Sequence, residues 1–309
     1  METVACILCG ADNAKLLFVG RDRMHGVPGE FNVVQCQICS LVYLNPRPSW
    51  DEIQQFYPVD YVGYNFKEAP ALKKLIRRGG WLKKRQLVER RKPGGTILDI
   101  GCGTGDFLQV MAQTGKWQVF GLEPNVHAAH YAARRTGAEV FCGRLEEAEY
   151  PSSFFDVITM WHVLEHLHEP ISILEKTRKM LKPDGILIVA VPVLDSLDAQ
   201  IFGPYWSGYD VPRHMFTFSK TTLSKVLAAS GFTSIHFDAY IGGHDAFCIS
   251  LSYWADEQFG ASPWLISIVR FLCRSLLFRL AMSPWYRVLN LLGLGSTAVV
   301  SASPMEYSI

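Results

Sequence analysis

The chain has 309 residues, enough for one large domain with additions or two modest ones, and its 49% hydrophobic and 19% charged content excludes a disordered polymer. The net charge of +1 is unevenly spread: Lys67 to Lys92 holds eleven Lys/Arg against two Glu, a local +9, while Gln258 to Pro304 holds four Arg and no acid. Such asymmetry points to an anionic partner, with a solvated basic helix as the plainer alternative.

The chain opens without a basic region followed by an apolar stretch, which argues against a secretory leader. Two cysteine pairs stand in "CILCG" (6–10) and "CQICS" (36–40). Eight cysteines in a chain of this size are too few for a disulfide scaffold, and the CxxC pairs suit a reducing cytoplasm. Cys6, Cys9, Cys36 and Cys39 have the spacing of a closed tetrahedral Zn²⁺ site, which stabilises a segment too short for its own core. This zinc is expected to be structural. The segment "NPRP" (45–48) ends that unit, so the first boundary falls at residue 48.

Residues 49–93 read as a helical linker with basic faces, broken by Pro58, Pro70 and the Gly79-Gly80 pair. A β/α alternation then occupies 94–309. Strands are predicted at 96–100, 117–124, 139–143, 155–160 and 185–192. Helices are predicted from about Asp106, over 125–137 and over 170–181, and an apolar helical insertion at about 256–293. Alternation of this kind implies a parallel sheet covered by helices on both faces.

The stretch "TILDIGCGTGDFL" (96–108) places Gly101, Gly103 and Gly105 where a strand ends and a helix begins. Glycine there removes the Cβ that keeps a ligand off the backbone and permits the positive φ that aims N–H groups at it. The GxGxG spacing differs from GxGxxG, and no GK[ST] follows, so a phosphate-binding P-loop is excluded. Glu123, at the end of the next strand, supplies a carboxylate that can accept both ribose hydroxyls of an adenosine-bearing ligand. The pairing is far more specific than either half.

These residues resemble the class I S-adenosylmethionine-dependent methyltransferases. "LDIGCGTGDFL" is similar to the first signature of that family, "VFGLEPN" to the acidic second one, "FDVITMWHVLEHLHEP" to the fourth-strand signature and "LKPDGILIVAVP" to the fifth. The stretch 202–232 resembles a bacterial subgroup that acts on small molecules or on glycan- and lipid-like acceptors, in which an N-terminal zinc unit is common. The resemblance implies an α/β fold with a seven-stranded Rossmann-like sheet, an N-terminal zinc ribbon and a C-terminal helical insertion. The last strand, "LGSTAVVSA", would insert antiparallel beside "TSIHFDAY".

The resemblance also implies a cofactor site. Gly101, Gly103 and Gly105 would pass the methionine portion, Asp99 would lie near its amino group, and Glu123 with Pro124 would flank the ribose. Arg144 and Leu145 would border the adenine, and Trp161 and His162 the sulfonium. Cys102 reads as a small packed residue, since nothing nearby suggests a base for it.

The constellation His162-x-x-Glu165-His166, placed on a helical turn, would share one face. Its match to the inverted zinc-protease pattern is countered by its context after a strand of a nucleotide-type sheet. Glu165 and His166 could simply hold the loop, or His162 or His166 could act as a general base. A divalent metal is the third reading, as in methyltransferases with ExxEH at this position, although here His162 replaces the first Glu. Arg213-His214 lies in a loop that faces the acceptor in the family, which adds His214 to the candidate bases; a capping role is the alternative. The segment 263–295 is too apolar for an ordinary surface helix, yet Arg270, Arg274 and Arg279 interrupt every window long enough to span a bilayer. It reads as an interfacial hairpin or lid, or else as a buried helical pair or dimer contact.

The function expected is a cytoplasmic transferase using S-adenosylmethionine, with structural Zn²⁺ and an oxygen or carbon acceptor on a small molecule, glycan or lipid. Peripheral contact with the inner membrane extends that reading. An RNA methyltransferase is the rival, motivated by the zinc unit and the basic segment. Neither an [ND]PP[YF] signature after the fourth strand nor a Pro-Cys nucleophile pair supports it. A non-catalytic cofactor-binding module is countered by the intact Gly and Glu motifs.

Overall fold

A computed structural model describes residues 1–58, 71–238 and 243–305. The expected break at Pro70, the charge on Lys67, and the last residues of "TSIHFDAY" lie outside them. In chain order the elements begin with β1 (Ala14–Gly20), β2 (Phe31–Cys36), β3 (Val42–Leu44), α1 (Trp50–Ile53) and α2 (Ala71–Arg91). The alternating part follows as β4 (Gly95–Ile100), α3 (Asp106–Ala112), β5 (Trp117–Glu123), α4 (Val126–Thr136), β6 (Glu139–Cys142), β7 (Phe155–Trp161), α5 (Pro170–Met180) and β8 (Leu181–Pro192). The chain closes with α6 (Leu197–Phe202), β9 (Phe216–Thr217), α7 (Lys220–Ala229), β10 (Phe232–Asp238), α8 (His244–Gln258), α9 (Pro263–Arg274), α10 (Leu276–Leu291) and β11 (Thr297–Pro304).

Seven strands form one sheet in the order β10-β11-β8-β7-β4-β5-β6. β4 pairs in parallel with both β5 and β7, with Asp99 opposite Gly121 on one side and Thr159 on the other. β11 inserts antiparallel between β8 and β10, as expected from the sequence. The central strands read as continuous apolar runs because both faces are covered: Ile97, Leu98, Val157, Ile158, Leu187 and Ile188 are all buried. Helix ends carry their own signals. Asn125 caps α4 by accepting from the Ala128 N–H, and α7 starts at a capping box of Ser219 and Thr222.

Two findings differ from the sequence reading. Helix α2 runs unbroken through Gly79-Gly80. Each glycine costs roughly 1 kcal/mol in a helix interior, but Trp81 and the fully buried Val88 anchor α2 to a cluster containing Ile97, Phe107, Trp161 and Val299. Part of the basic charge of that stretch, moreover, is paired within the fold. Arg77 pairs with Asp106, Arg85 with Glu89, Arg91 with Asp238 and Lys92 with Asp184, while Lys84 is buried.

The N-terminal strands form a second, antiparallel sheet, β1-β2-β3-β9, whose last strand belongs to the later part of the chain. Val42 pairs with Thr217 and Tyr43 with Phe216, and one apolar cluster runs from Cys36 and Leu41 through Phe216 and Phe218 to Val191. Arg213, with no exposed side-chain surface, ties the two parts together. Its guanidinium donates to Asp22 Oδ1 (2.9 Å), to both Asp210 oxygens (2.6 and 2.9 Å) and to the Phe56 carbonyl (3.2 Å). Arg213 is therefore a strut between the two sheets rather than a group facing an acceptor.

Helices α8 to α10 sit between β10 and β11. Among the described residues, no helix is long and apolar enough to cross a membrane. The α9–α10 hairpin nevertheless exposes Trp264, Phe271, Leu277, Leu280, Leu291 and Leu292.

Candidate active site

The expected cofactor residues gather at the C-terminal ends of β4, β5 and β7, the edge where open α/β sheets bind ligands. Gly101, Gly103 and Gly105 all adopt positive φ (70°, 52° and 78°). A Cβ on Gly101 would stand 2.5 Å from Val163 Cγ2, so the turn after β4 and the turn after β7 touch only because that atom is absent. Glu123 closes the same turn: its Oε2 accepts from the Gly103 N–H and its Oε1 from the Asn125 N–H, both at 2.9 Å. Pro124 is exposed immediately beyond it.

Asp99 is buried, and its Oδ1 accepts from the Thr159 hydroxyl at 2.6 Å. Burial raises its carboxyl to about 7, against the opposing pull of that hydrogen bond and of Lys84, with Glu123 adding to the rise. Lys84 was not anticipated. Its ammonium lies 4.1 Å from the ring centre of Trp81 and 4.6 Å from that of Trp161, and burial lowers it to about 8, with Asp99 opposing. The available signal was positional: Trp81, Lys84 and Val88 are spaced i, i+3, i+7, so this lysine sits on the apolar stripe of α2.

Other residues take up surrounding positions. Cys102 is buried, and a Cβ on Gly121 would meet its sulfur at 2.9 Å, in keeping with a packed small residue. Leu145 is buried in the main core, while the Arg144 guanidinium lies 5.1 Å over the Trp50 ring and pairs with Glu147. Trp161 is buried edge-on to Phe107.

The HxxEH segment is not a helical face. Residues 164–166 form a single 3₁₀ turn, and His162 precedes it with φ 59°, a left-handed conformation uncommon outside glycine. The reversal lets His162 Nδ1 reach Glu165 Oε1 at 3.2 Å while the imidazole stays 42% exposed. His166 and His214 lie deeper. The His166 Nδ1 meets the Arg213 carbonyl (3.1 Å) and the Tyr57 hydroxyl (3.0 Å), and His214 Nδ1 meets the Gly208 carbonyl (2.8 Å). Their rings pack edge to face at 4.5 Å. Burial, followed by the neighbouring His214, brings His166 down to about 4, so it is neutral at pH 7.

The four N-terminal cysteines converge as their spacing predicts. Their sulfurs lie within 4.8 Å of one another, with Cys6–Cys39 at 3.4 Å and Cys9–Cys36 at 3.5 Å. A tetrahedral ion with Zn–S of about 2.3 Å needs edges of about 3.8 Å, so four thiolates here could close around Zn²⁺ with small adjustments.

Comparison with known proteins agrees with this geometry. Residues 73–236, a little over half of the chain, match the methyltransferase-domain family. A probable S-adenosylmethionine-dependent methyltransferase of Mycolicibacterium smegmatis is 26% identical over 166 residues, 51% of this chain and 61% of its own length. The ubiquinone biosynthesis O-methyltransferase of Haemophilus ducreyi is 33% identical over 109 residues, 31% of this chain and 45% of its own length. The chain thus matches less than two thirds of either relative. Among solved structures, a chain of the complex between the Haloferax volcanii Trm112 methyltransferase activator and its putative methyltransferase superposes with a TM-score of 0.50 at 15% identity, covering 74% of this chain and 94% of that one. The fold and the glycine-acid turn define a Rossmann-like α/β domain of the class I type. The chain belongs to the methyltransferase-domain family.

We predict that Glu123→Ala and Gly103→Val each weaken S-adenosylmethionine binding. Glu123→Ala removes the charge-assisted acceptor that holds the turn, and the loss should be roughly 2–4 kcal/mol, at least about 30-fold in affinity. Calorimetry on the two variants checks this; unchanged affinity in both would remove the glycine-acid turn from the cofactor site.

Proposed function

We propose that this methyltransferase acts on an oxygen or carbon of a small-molecule, glycan or lipid-like acceptor, with His162 as the general base. The observation that carries the reading is the His162–Glu165 pair at the end of β7, touching the glycine turn through Val163. Bound S-adenosylmethionine supplies a methyl carbon activated by its sulfonium. Glu123 would hold the ribose, Asp99 the α-ammonium and Lys84 the carboxylate, with Arg144 and Leu145 at the adenine and Trp161 beside the sulfonium. With Glu165 accepting from Nδ1–H, His162 would present Nε2 to the acceptor and take its proton as the acceptor becomes methylated. His166 and His214 lie deeper than the exposed His162 and serve in this reading behind the base rather than as bases. The similarity to ubiquinone biosynthesis O-methyltransferases favours a small-molecule oxygen acceptor.

In this proposal the four cysteines hold a structural zinc, and the protein works in the cytoplasm with the α9–α10 hairpin at a membrane surface. Support for the surface comes from the hairpin's exposed apolar side chains and from Arg270, Arg274, Arg279 and Arg287 without an acid between residues 258 and 304. Arg270 and Arg279 pair with Asp256 and Asp245 of α8, so insertion of apolar side chains should outweigh charge attraction. The local pairing of the α2 cations weighs against a nucleic-acid acceptor.

The acceptor is tested by incubating the protein and methyl-labelled S-adenosylmethionine with fractionated small-molecule, lipid, glycan and RNA extracts. Label should enter a lipid, glycan or small-molecule fraction, and His162→Asn should slow transfer about 10²–10⁴-fold with little change in cofactor affinity. Label confined to RNA would overturn the proposal. Co-sedimentation tests the surface: the wild type should bind anionic vesicles, losing part of the binding as salt rises, at about 1 kcal/mol per engaged Lys or Arg. Phe271→Glu/Leu277→Glu should abolish binding, and failure of the wild type to bind at low salt would exclude the membrane.

A further inference from the structure

We propose that Cys248 and Cys273 form a redox-modification site: hydrogen peroxide oxidises the Cys273 thiol, and Cys248 converts the product to a disulfide that cross-links α9 to α8. Cys248 lies on α8, and Cys273 is the next-to-last residue of α9. Each sulfur packs against the other residue's backbone. Cys248 Sγ stands 3.9 Å from the Cys273 carbonyl oxygen, and Cys273 Sγ stands 3.9 Å from that of Cys248. The two residues flank the turn at 259–262, so the packing of α9 on α8 brings them together and not a CxxC repeat.

Three features set this pair apart from thiols that merely fill a core. Cys248 belongs to neither of the two apolar cores that hold the sheets. Exposure divides the pair: Cys248 is 7% exposed, whereas Cys273 is only half-buried, so one thiol is open to a small oxidant and the other is held behind it. The third feature is His244, whose Nε2 lies 3.3 Å from the Cys273 carbonyl oxygen and 3.6 Å from Cys248 Sγ. A carbonyl only accepts, so this Nε2 carries the proton. The same N–H faces the Cys248 sulfur, where it favours the thiolate as it develops. Burial lowers His244, with Arg279 adding to the fall, so the ring is neutral at pH 7. Burial pushes the Cys248 thiol up, and the Cys273 thiol beside it adds to the rise. Such a thiol is inert toward an oxidant at rest and suits the resolving role.

The chemistry balances with peroxide as the sole co-reactant. The Cys273 sulfur attacks one peroxide oxygen, the O–O bond breaks, and the thiol proton leaves with the departing oxygen as water, so that Cys273 becomes a sulfenic acid. The Cys248 sulfur then attacks the sulfenic sulfur. The S–O bond breaks, and hydroxide leaves with the Cys248 proton as a second water. Two thiols have lost two electrons, one peroxide has become two waters, and a dithiol reductant reverses the change. The disulfide closes the 248–273 loop and pins the end of α9, where the chain enters α10 through Ser275, to α8. Helix α8 in turn holds the loop after α6: the Ser207 N–H donates to Ser250 Oγ at 2.9 Å and the Ser207 hydroxyl to the Ala246 carbonyl at 3.0 Å. Oxidation therefore stiffens the insertion between β10 and β11 where it rests on the domain. Neither the acceptor nor a membrane enters this chemistry.

The test maps the cysteines. The full-length chain is titrated with hydrogen peroxide, quenched, alkylated under denaturing conditions and digested without reduction for mass spectrometry. The peptides that contain Cys248 and Cys273 should appear joined, two hydrogens lighter than their sum, and should separate on addition of dithiothreitol. Cys142, exposed on the edge strand β6, reports indiscriminate oxidation, and the cross-link should form at lower peroxide than its modification. Cys248→Ser should leave Cys273 as a sulfenic acid that dimedone traps, and Cys273→Ser should leave Cys248 a free thiol. Limited proteolysis gives a second measure: oxidation should slow cleavage within 259–273 in the wild type and leave it unchanged in Cys248→Ser/Cys273→Ser. Recovery of both Cys248 and Cys273 as alkylated thiols after Cys142 has been oxidised would overturn the proposal. So would a Cys273 carried on to the sulfinic acid, or joined to a second copy of the chain, with Cys248 untouched.

Discussion

Two carboxylates buried at the ends of adjacent parallel strands are the constraint around which this structure is arranged. Asp99 is the next-to-last residue of β4 and Glu123 the last of β5, and both are at most 4% exposed. A buried carboxylate is costly unless hydrogen-bonded or paired. Glu123 meets that requirement with two backbone N–H groups, which is possible only because glycine turns the chain at 103. Asp99 meets it incompletely, with the Thr159 hydroxyl and a lysine that lies among indole rings. Its raised pKa measures the shortfall, and a cationic ligand group would make it good.

The same logic of burial explains why the N-terminal cysteine unit is not a freely tethered module. Its strands continue into β9, its core merges with that of the seven-stranded domain, and Arg213 bridges Asp22 and Asp210 without solvent contact. Removing one member of such a network leaves a charge stranded, a loss of about 3–5 kcal/mol. The loop that carries Arg213 also carries His214, so the joint between the two sheets and the polar cluster behind His162 are held by one segment.

Much of this was legible in the sequence because it depends on short-range pattern. Apolar runs separated by helical periods specify a parallel sheet, the Gly101–Gly105 spacing with Glu123 specifies an adenosine-type turn, and paired CxxC knuckles bring four sulfurs together. The misses share a cause, since each depends on contacts between distant segments. Lys84 looked like one more solvated cation in a basic stretch until α2 was seen to lie against Trp161. Gly79-Gly80 read as a break because propensity is local, whereas the burial of Trp81 and Val88 is tertiary. The β3–β9 pairing involves a two-residue strand with no periodicity to detect. His162, Glu165 and His166 were placed on a helical face, but a left-handed His162 ends the strand abruptly and sends His166 toward His214 instead.

The central claim is that the buried carboxylates at the ends of β4 and β5 form the cofactor cradle, and it is tested most directly by the pH dependence of S-adenosylmethionine affinity. Burial raises Asp99 to about 7 in the free protein. Only its ionised form would pair with the cofactor's ammonium. Affinity should therefore be highest between that pH and about 8, where Lys84 begins to lose its proton, and fall by up to about tenfold per unit below about 7, by proton linkage. Calorimetry from pH 8.5 to about pH 5.5 should show this slope in the wild type and its loss, at uniformly weaker affinity, in Asp99→Asn. A wild-type affinity that is flat across that range, or an Asp99→Asn variant that binds as tightly as the wild type at pH 8, would contradict the account.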